Sequence, residues 1–401
     1  MQFERFALGE RCFAGPDAGF LQHGTGGGDA IEAPLLCALV EAPAAVGGDE
    51  MELVGHGVIL PRGCDTHRRH GRITGMSEQV ASRYGMTVPF DGQPLHAQKD
   101  RFQRLEALGY TDLWSAEAMG ADGLTPLALG AVWTPSMRLG TAILPAYTRG
   151  PALMAQSAAG MASAAPGRFV LGIGSSSNVI VERWNGVPFA DPYKKTRDMV
   201  RFVKAALTGE KITEDYDTFS IKGFRLGLVP EEPVPVLVAA LREGMLKMAG
   251  RESDGAIVNW LSADNVATVS AVVRAENPDA EMVARIFVAP TTDTESARAT
   301  GKFAAAAYLN VPVYKAFHEW MGRGDDLGEH WEQWEAGDRQ GALEKIPDHI
   351  IDELIIHGSY DECRAHLQRY VDNGITCPAI ALMPFPGVDI DEAIEGLAPG
   401  S

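Results

Sequence analysis

Between Gln98 and Phe317 this chain has no histidine, and between Asp65 and Glu362 it has no cysteine. A hydrolase built on a histidine-held metal needs several imidazoles at its ligating positions, so that class is disfavoured and no metal is expected. A serine, histidine and carboxylate triad loses its base for the same reason. No apolar run approaches the roughly 18 to 20 residues that span a bilayer. Basic residues are also scarce: 35 Lys and Arg face 53 Asp and Glu, and a formal charge of -18 opposes attraction to phosphate backbones and anionic lipid. Neither nucleic acid nor a membrane is expected as a partner. A small-molecule substrate is, and a homodimer is the candidate assembly. The five cysteines (Cys12, Cys37, Cys64, Cys363, Cys377) form no CxxC pair, and an odd number suits a reducing compartment better than a secreted disulfide framework. The opening MQFERFALGERCFAG lacks a basic start followed by a sustained apolar stretch. A cytoplasmic enzyme is expected.

Residues 1–75 are glycine-rich, with GTGGG at Gly24 to Gly28, and the charged cluster HRRHGR (His67 to Arg72) interrupts any strand or helix pattern. They are expected to be a leader without a fold of its own, or translated sequence upstream of a start at Met76, rather than a regulatory extension.

From Tyr84 short apolar strands alternate with amphipathic helices. The strands are YGMTVPF, TDLWSAE, RLGTAIL, RFVLGIG, PVLVAAL, GAIVNWL, ARIFVAP and PAIALMP. Each is a nearly continuous apolar run, as a parallel sheet covered on both faces requires. In PYKKTRDMVRFVKAALTGE the residues Met199, Val200, Phe202, Val203, Ala206 and Leu207 form one stripe, with Gly209 at the expected left-handed cap. A first helix runs from Pro94 through Phe102, Leu105 and Leu108 to Gly109. Strands followed by helical crossovers in this number predict a (β/α)8 TIM barrel over residues 76–401. Two inserts break the rhythm: a hairpin at 217–228, and a helical stretch at 308–348 whose Trp320, Trp331 and Trp334 are placed to cover the barrel mouth.

In a barrel the chemistry sits at the C-terminal strand ends. The second strand ends at Glu117, a carboxylate able to orient a ring or take a proton, or else a solvated loop acid. The fourth ends in GIGSSSN, where Gly174, Ser175 and Ser176 offer hydrogen bonds to a polar ligand. The fifth runs into Ala240, Leu241, Arg242, Glu243 and Gly244 at a helix N-terminus, where free amides can receive a phosphate.

Four ordered blocks, YTDLWSAEAMGADGLTPLAL, RLGTAILPAYTRGPALMAQ, GRFVLGIGSSSNVIVERWNGVPF and VPVLVAALREGMLKMAGRESDGAIVNW, resemble the luciferase-like monooxygenase superfamily, especially its coenzyme F420-dependent oxidoreductase branch. The resemblance covers about Tyr84 to Gly396. It implies a bacterial luciferase-like barrel that transfers a hydride between the deazaflavin coenzyme F420 and a small organic substrate. An FMN-dependent monooxygenase using oxygen is the alternative, and a non-catalytic flavin-binding barrel a second. It also implies a non-prolyl cis bond between Ala142 and Ile143 against the ring, Glu117 facing the ring, and the coenzyme phosphate at Ala240 to Gly244 and Gly174 to Ser176. Two positions depart from the branch. Ala118 stands where some relatives have a histidine, and Ser177 stands nearest to the glutamate of the sugar-phosphate dehydrogenases, which argues against glucose 6-phosphate.

Overall fold

The computed structural model describes residues 83–385 and 387–399. The extension expected over residues 1–75 lies outside the described residues. The strands are β1 (Gly85–Thr87), β2 (Asp112–Ser115), β3 (Arg138–Thr141), β4 (Leu144–Pro145), β5 (Phe169–Gly174), β6 (Ile212–Asp215), β7 (Ser220–Phe224), β8 (Val236–Ala239), β9 (Gly255–Asn259), β10 (Glu281–Ala289), β11 (Ile355–His357) and β12 (Cys377–Leu382). Eight of them pair in parallel in the order β12, β1, β2, β3, β5, β8, β9, β10, and β10 pairs back onto β12. The ring is a closed (β/α)8 barrel, and all eight apolar runs read from the sequence supply its staves.

The helices are α1 (Lys99–Ala107), α2 (Thr125–Trp133), α3 (Pro151–Ala164), α4 (Pro192–Leu207), α5 (Glu243–Glu252), α6 (Ala263–Glu276), α7 (Thr294–Leu309), α8 (Pro312–Trp320), α9 (Gly324–Glu335), α10 (Arg339–Glu344), α11 (Asp348–Leu354), α12 (Tyr360–Asp372) and α13 (Ile390–Gly396). In α4 the predicted stripe is buried at Met199, Val200, Phe202, Val203 and Ala206, and Gly209 takes φ 82° just past the helix. Pro94 is not part of α1: a 3-10 turn at Leu95–Ala97 precedes the helix.

Successive residues on a strand point to opposite faces. Val170, Leu237, Ile257, Val283, Cys377 and Ala379 therefore meet Trp114 inside the ring, apart from the larger core between strands and helices. Trp114 is the bulkiest of them, and its indole fits only because two neighbouring strands carry glycine. A Cβ at Gly140 would lie 2.2 Å from the indole, and one at Gly85 would lie 2.7 Å from it.

Below this layer the barrel floor is ionic. Asp112, wholly buried, meets Arg83 at 2.9 Å and Arg138 at 3.7 Å, while Arg138 also donates to Glu281 at 2.7 Å. Removing one charge from a buried network leaves the others uncompensated, so Asp112→Asn should lower unfolding free energy by about 3 kcal/mol. Urea unfolding of the variant beside the parent checks this, and equal midpoints would show that the network carries no net stability.

Two elements differ from expectation. The hairpin is β6 paired antiparallel to β7, so it spans Ile212 to Phe224 rather than 217–228. Its first strand, ITED, buries only Ile212 and carries no apolar alternation to mark its start. The short β11 extends the sheet beside the upper half of β10. Its three residues follow α11 directly, too few to register as a periodic run. The stretch 308–348 is helical as expected, from the end of α7 to α11, and packs on residues at the ends of β9, β10 and β12, namely Trp260, Ala289 and Met383. Its three tryptophans take different places. Trp331 is buried and donates to the Leu309 carbonyl at 3.0 Å, Trp334 lies against Arg339, and Trp320 is exposed.

Candidate active site

Above Trp114 the inward positions change character. Where lower strand residues are sealed, Thr87, Ala142, Ala239, Asn259, Arg285 and Phe287 remain partly accessible and line the C-terminal mouth. One side is built from small residues. The peptide bond between Ala142 and Ile143 is cis, at the position the resemblance implied. Gly174 lies beside it, and a Cβ there would come within 2.9 Å of the Ala239 Cβ and 3.0 Å of Ile143. The Gly174 carbonyl accepts from the Ala146 amide at 2.8 Å, and the Ile143 carbonyl accepts from the Glu117 amide at 3.2 Å. Glu117, Ala142, Ile143 and Gly174 are thus neighbours, joined through the backbone.

Glu117 is not a free loop acid. Its carboxylate meets Arg149 at 2.5 Å, with both side chains mostly buried, and accepts from the Gly123 amide at 3.2 Å. Arg149 also lies 3.9 Å from Asp122, and that acid is held below the usual carboxylate range, against its own burial, by hydrogen bonds from Thr125 and Leu124 and by the Arg149 charge. A group approaching Glu117 meets an acid already held by a cation. The sequence reading passed over Arg149, although it stands in the quoted block RLGTAILPAYTRGPALMAQ.

Strands β5 and β8 are neighbours, so the loop after one lies beside the turn after the other. In the first loop Ser176 takes φ 61°, and Ser177 is committed elsewhere, its hydroxyl accepting from the Ile180 amide at 3.3 Å. In the second, the Ala240 amide is spent on the Ile257 carbonyl, which withdraws it from ligand binding. Arg242 is the N-cap of α5 and supplies no side-chain cap, leaving the first-turn amides of the helix without intrahelical partners. Around Gly244 the space is open. The Glu243 side chain turns to Lys247 at 2.6 Å, which offsets its charge beside an incoming anion.

Residues 72–377 match the family described as luciferase-like monooxygenase. The chain belongs to that family. It is accordingly an enzyme of the oxidoreductase class. Among its relatives, the 5,10-methylenetetrahydromethanopterin reductase of Methanolobus tindarius is 23% identical over 68% of this chain and 85% of its own length. The F420-dependent glucose-6-phosphate dehydrogenase of Kineococcus radiotolerans is 35% identical over 34% of this chain and 43% of its own. The solved coenzyme F420-dependent tetrahydromethanopterin reductase of Methanopyrus kandleri superposes with a TM-score of 0.66 at 19% identity, covering 79% of this chain and 97% of that one, which shows the shared fold.

The opposite side of the mouth was absent from the sequence reading. Arg285 interrupts the otherwise apolar ARIFVAP, which was the available signal, because a charge on an inward barrel position needs a reason. Around it stand Phe287, Trp260, Tyr308 and Tyr314. Trp260 takes the left-handed φ of 53°, stacks on Phe287 at 4.2 Å and meets Tyr308 at 4.8 Å. A separate cavity of about 270 Å³ near Ser262, His349 and His366 is lined by charged groups that already have partners, Arg369 with Asp264 and Glu353 with Arg323 behind it.

Among the described residues no helix is long and apolar enough to cross a membrane.

Proposed function

We propose that this chain is a coenzyme F420-dependent oxidoreductase that moves a hydride between the deazaflavin and a small organic substrate. The observation that carries the reading is an adjacency. The small-residue wall of Ala142, Ile143, Gly174 and Ala239 stands next to the uncapped N-terminus of α5, so neighbouring strand ends offer a flat surface for a ring and amides for its phosphate. The F420 dependence of the dehydrogenase and reductase relatives supports the same choice.

When bound, the deazaflavin would supply the redox chemistry. The protein's part is position and charge. Ile143 and Ala142 would back the ring, Ser175 and Ser176 with the amides of Leu241 to Gly244 would hold the phosphate, and Glu117 would face the ring or take a proton from the substrate while Arg149 fixes its place. Glucose 6-phosphate is not proposed as substrate, because Ser177 both lacks the acid and is engaged in capping the turn that follows.

The test is a titration of the full chain with F420 and with FMN. Binding of F420 at least tenfold tighter than FMN is expected. Arg242→Glu should weaken F420 roughly tenfold, since it sets a second acid beside Glu243 at the phosphate-binding turn. Tighter binding of FMN together with oxygen-dependent turnover would replace the deazaflavin by FMN and make the chain a monooxygenase.

A further inference from the structure

Among the described residues Arg285 is a cation without a counter-ion. It points into the barrel from the middle of β10, and among the described residues no carboxylate forms an ion pair with it. Its neighbours are aromatic. The guanidinium lies 4.7 Å from the Phe287 ring centre and sits near Tyr308 and Tyr314. Its Nε is buried and has no hydrogen-bond partner among the described residues. The exposed Asp91 acts on it only from a distance.

Leaving a charge in such surroundings is unfavourable unless something neutralises it. Elsewhere in this barrel the buried charges are paired: Asp112 with Arg83, Arg138 with Glu281, Glu117 with Arg149. Burial also pushes the Arg285 pKa down, the sense expected for a cation awaiting an anion. The side chain nevertheless stays partly accessible, so a ligand can reach it.

We propose that Arg285 receives a carboxylate of the substrate, and that Phe287, Trp260 and Tyr308 pack against a flat apolar body carrying it. A carboxylate is favoured over a phosphate ester because one guanidinium matches a single negative charge. Arg149, in the loop after β4, is engaged by Glu117. Arg285 lies on β10, across the ring from β3 and its Ala142, so an anchored carboxylate would leave the body of the substrate spanning the mouth toward the small-residue wall. The inference rests on the oxidoreductase reading for calling the ligand a substrate, and it names that substrate's charge.

Isothermal titration of the full chain, without coenzyme, tests it with benzoate, its neutral isostere benzamide, and phenyl phosphate. Benzoate should bind at least tenfold more tightly than benzamide and no less tightly than phenyl phosphate. Arg285→Gln should abolish the preference over benzamide, and Arg285→Lys should keep part of it. Equal binding of benzoate and benzamide, no benzoate binding, or a preference that survives Arg285→Gln would overturn the proposal. Tighter phenyl phosphate would overturn the carboxylate in favour of a phosphate ester. If the glutamine variant does not fold, the comparison on the parent still decides. Because coenzyme is absent, failure here leaves the F420 affinity standing, and failure of the F420 titration leaves the anion result standing.

Discussion

Gly140→Ala should destabilise the barrel by about 3 kcal/mol or more, the upper range for forcing atoms into a packed core. The new Cβ would need the space that Trp114 fills, and the indole is enclosed by Val170, Leu237, Ile257 and Val283 with nowhere to retreat. Adding Trp114→Phe should recover part of the loss by returning volume at the point of conflict. Guanidinium unfolding of the parent, the single and the double variant gives the cycle. A Gly140→Ala protein as stable as the parent would mean that the tryptophan is not the plug described here.

The second large effect concerns turnover. Glu117→Gln should lower kcat by roughly a hundredfold, the lower end of what a positioned acid or base contributes, with any substrate the parent converts. The coenzyme Kd should move only a few-fold, since the turn at Leu241 to Gly244 is untouched. The carboxamide also leaves Arg149 without its partner, so the variant should melt earlier than the parent. A matching loss of coenzyme affinity, with kcat preserved, would recast Glu117 as part of the binding surface alone.

The staves of the barrel were readable because each is hydrophobic on both faces. Phe169–Gly174 is buried at every position, and an unbroken apolar run records that directly. The loops at Gly174 to Ser176 and Ala240 to Gly244 could be located because they follow such runs immediately. Other features leave no local trace. The partnership of Glu117 with Arg149 joins two loops whose closeness is a property of the ring, and β6 is a polar strand defined only by its partner. Arg285 was visible as an oddity in an apolar run. Its meaning needed the neighbours that the insert brings, Tyr308 and Tyr314, from well beyond the strand.

The closing strand has a consequence for how the chain is made. β12 fills the gap between β1 and β10, and α13, still later in the chain, ties back to the start through Arg101 with Asp391 and Tyr110 with the Ile394 carbonyl. During synthesis every other stave emerges first. The nascent sheet must therefore wait with β1 and β10 as two open edges, each able to pair with a stranger. Ring closure between such distant parts of the chain carries a high contact order, so it should be the slow event of folding, and a ribosome stalled before Cys377 would hold a barrel that cannot shut.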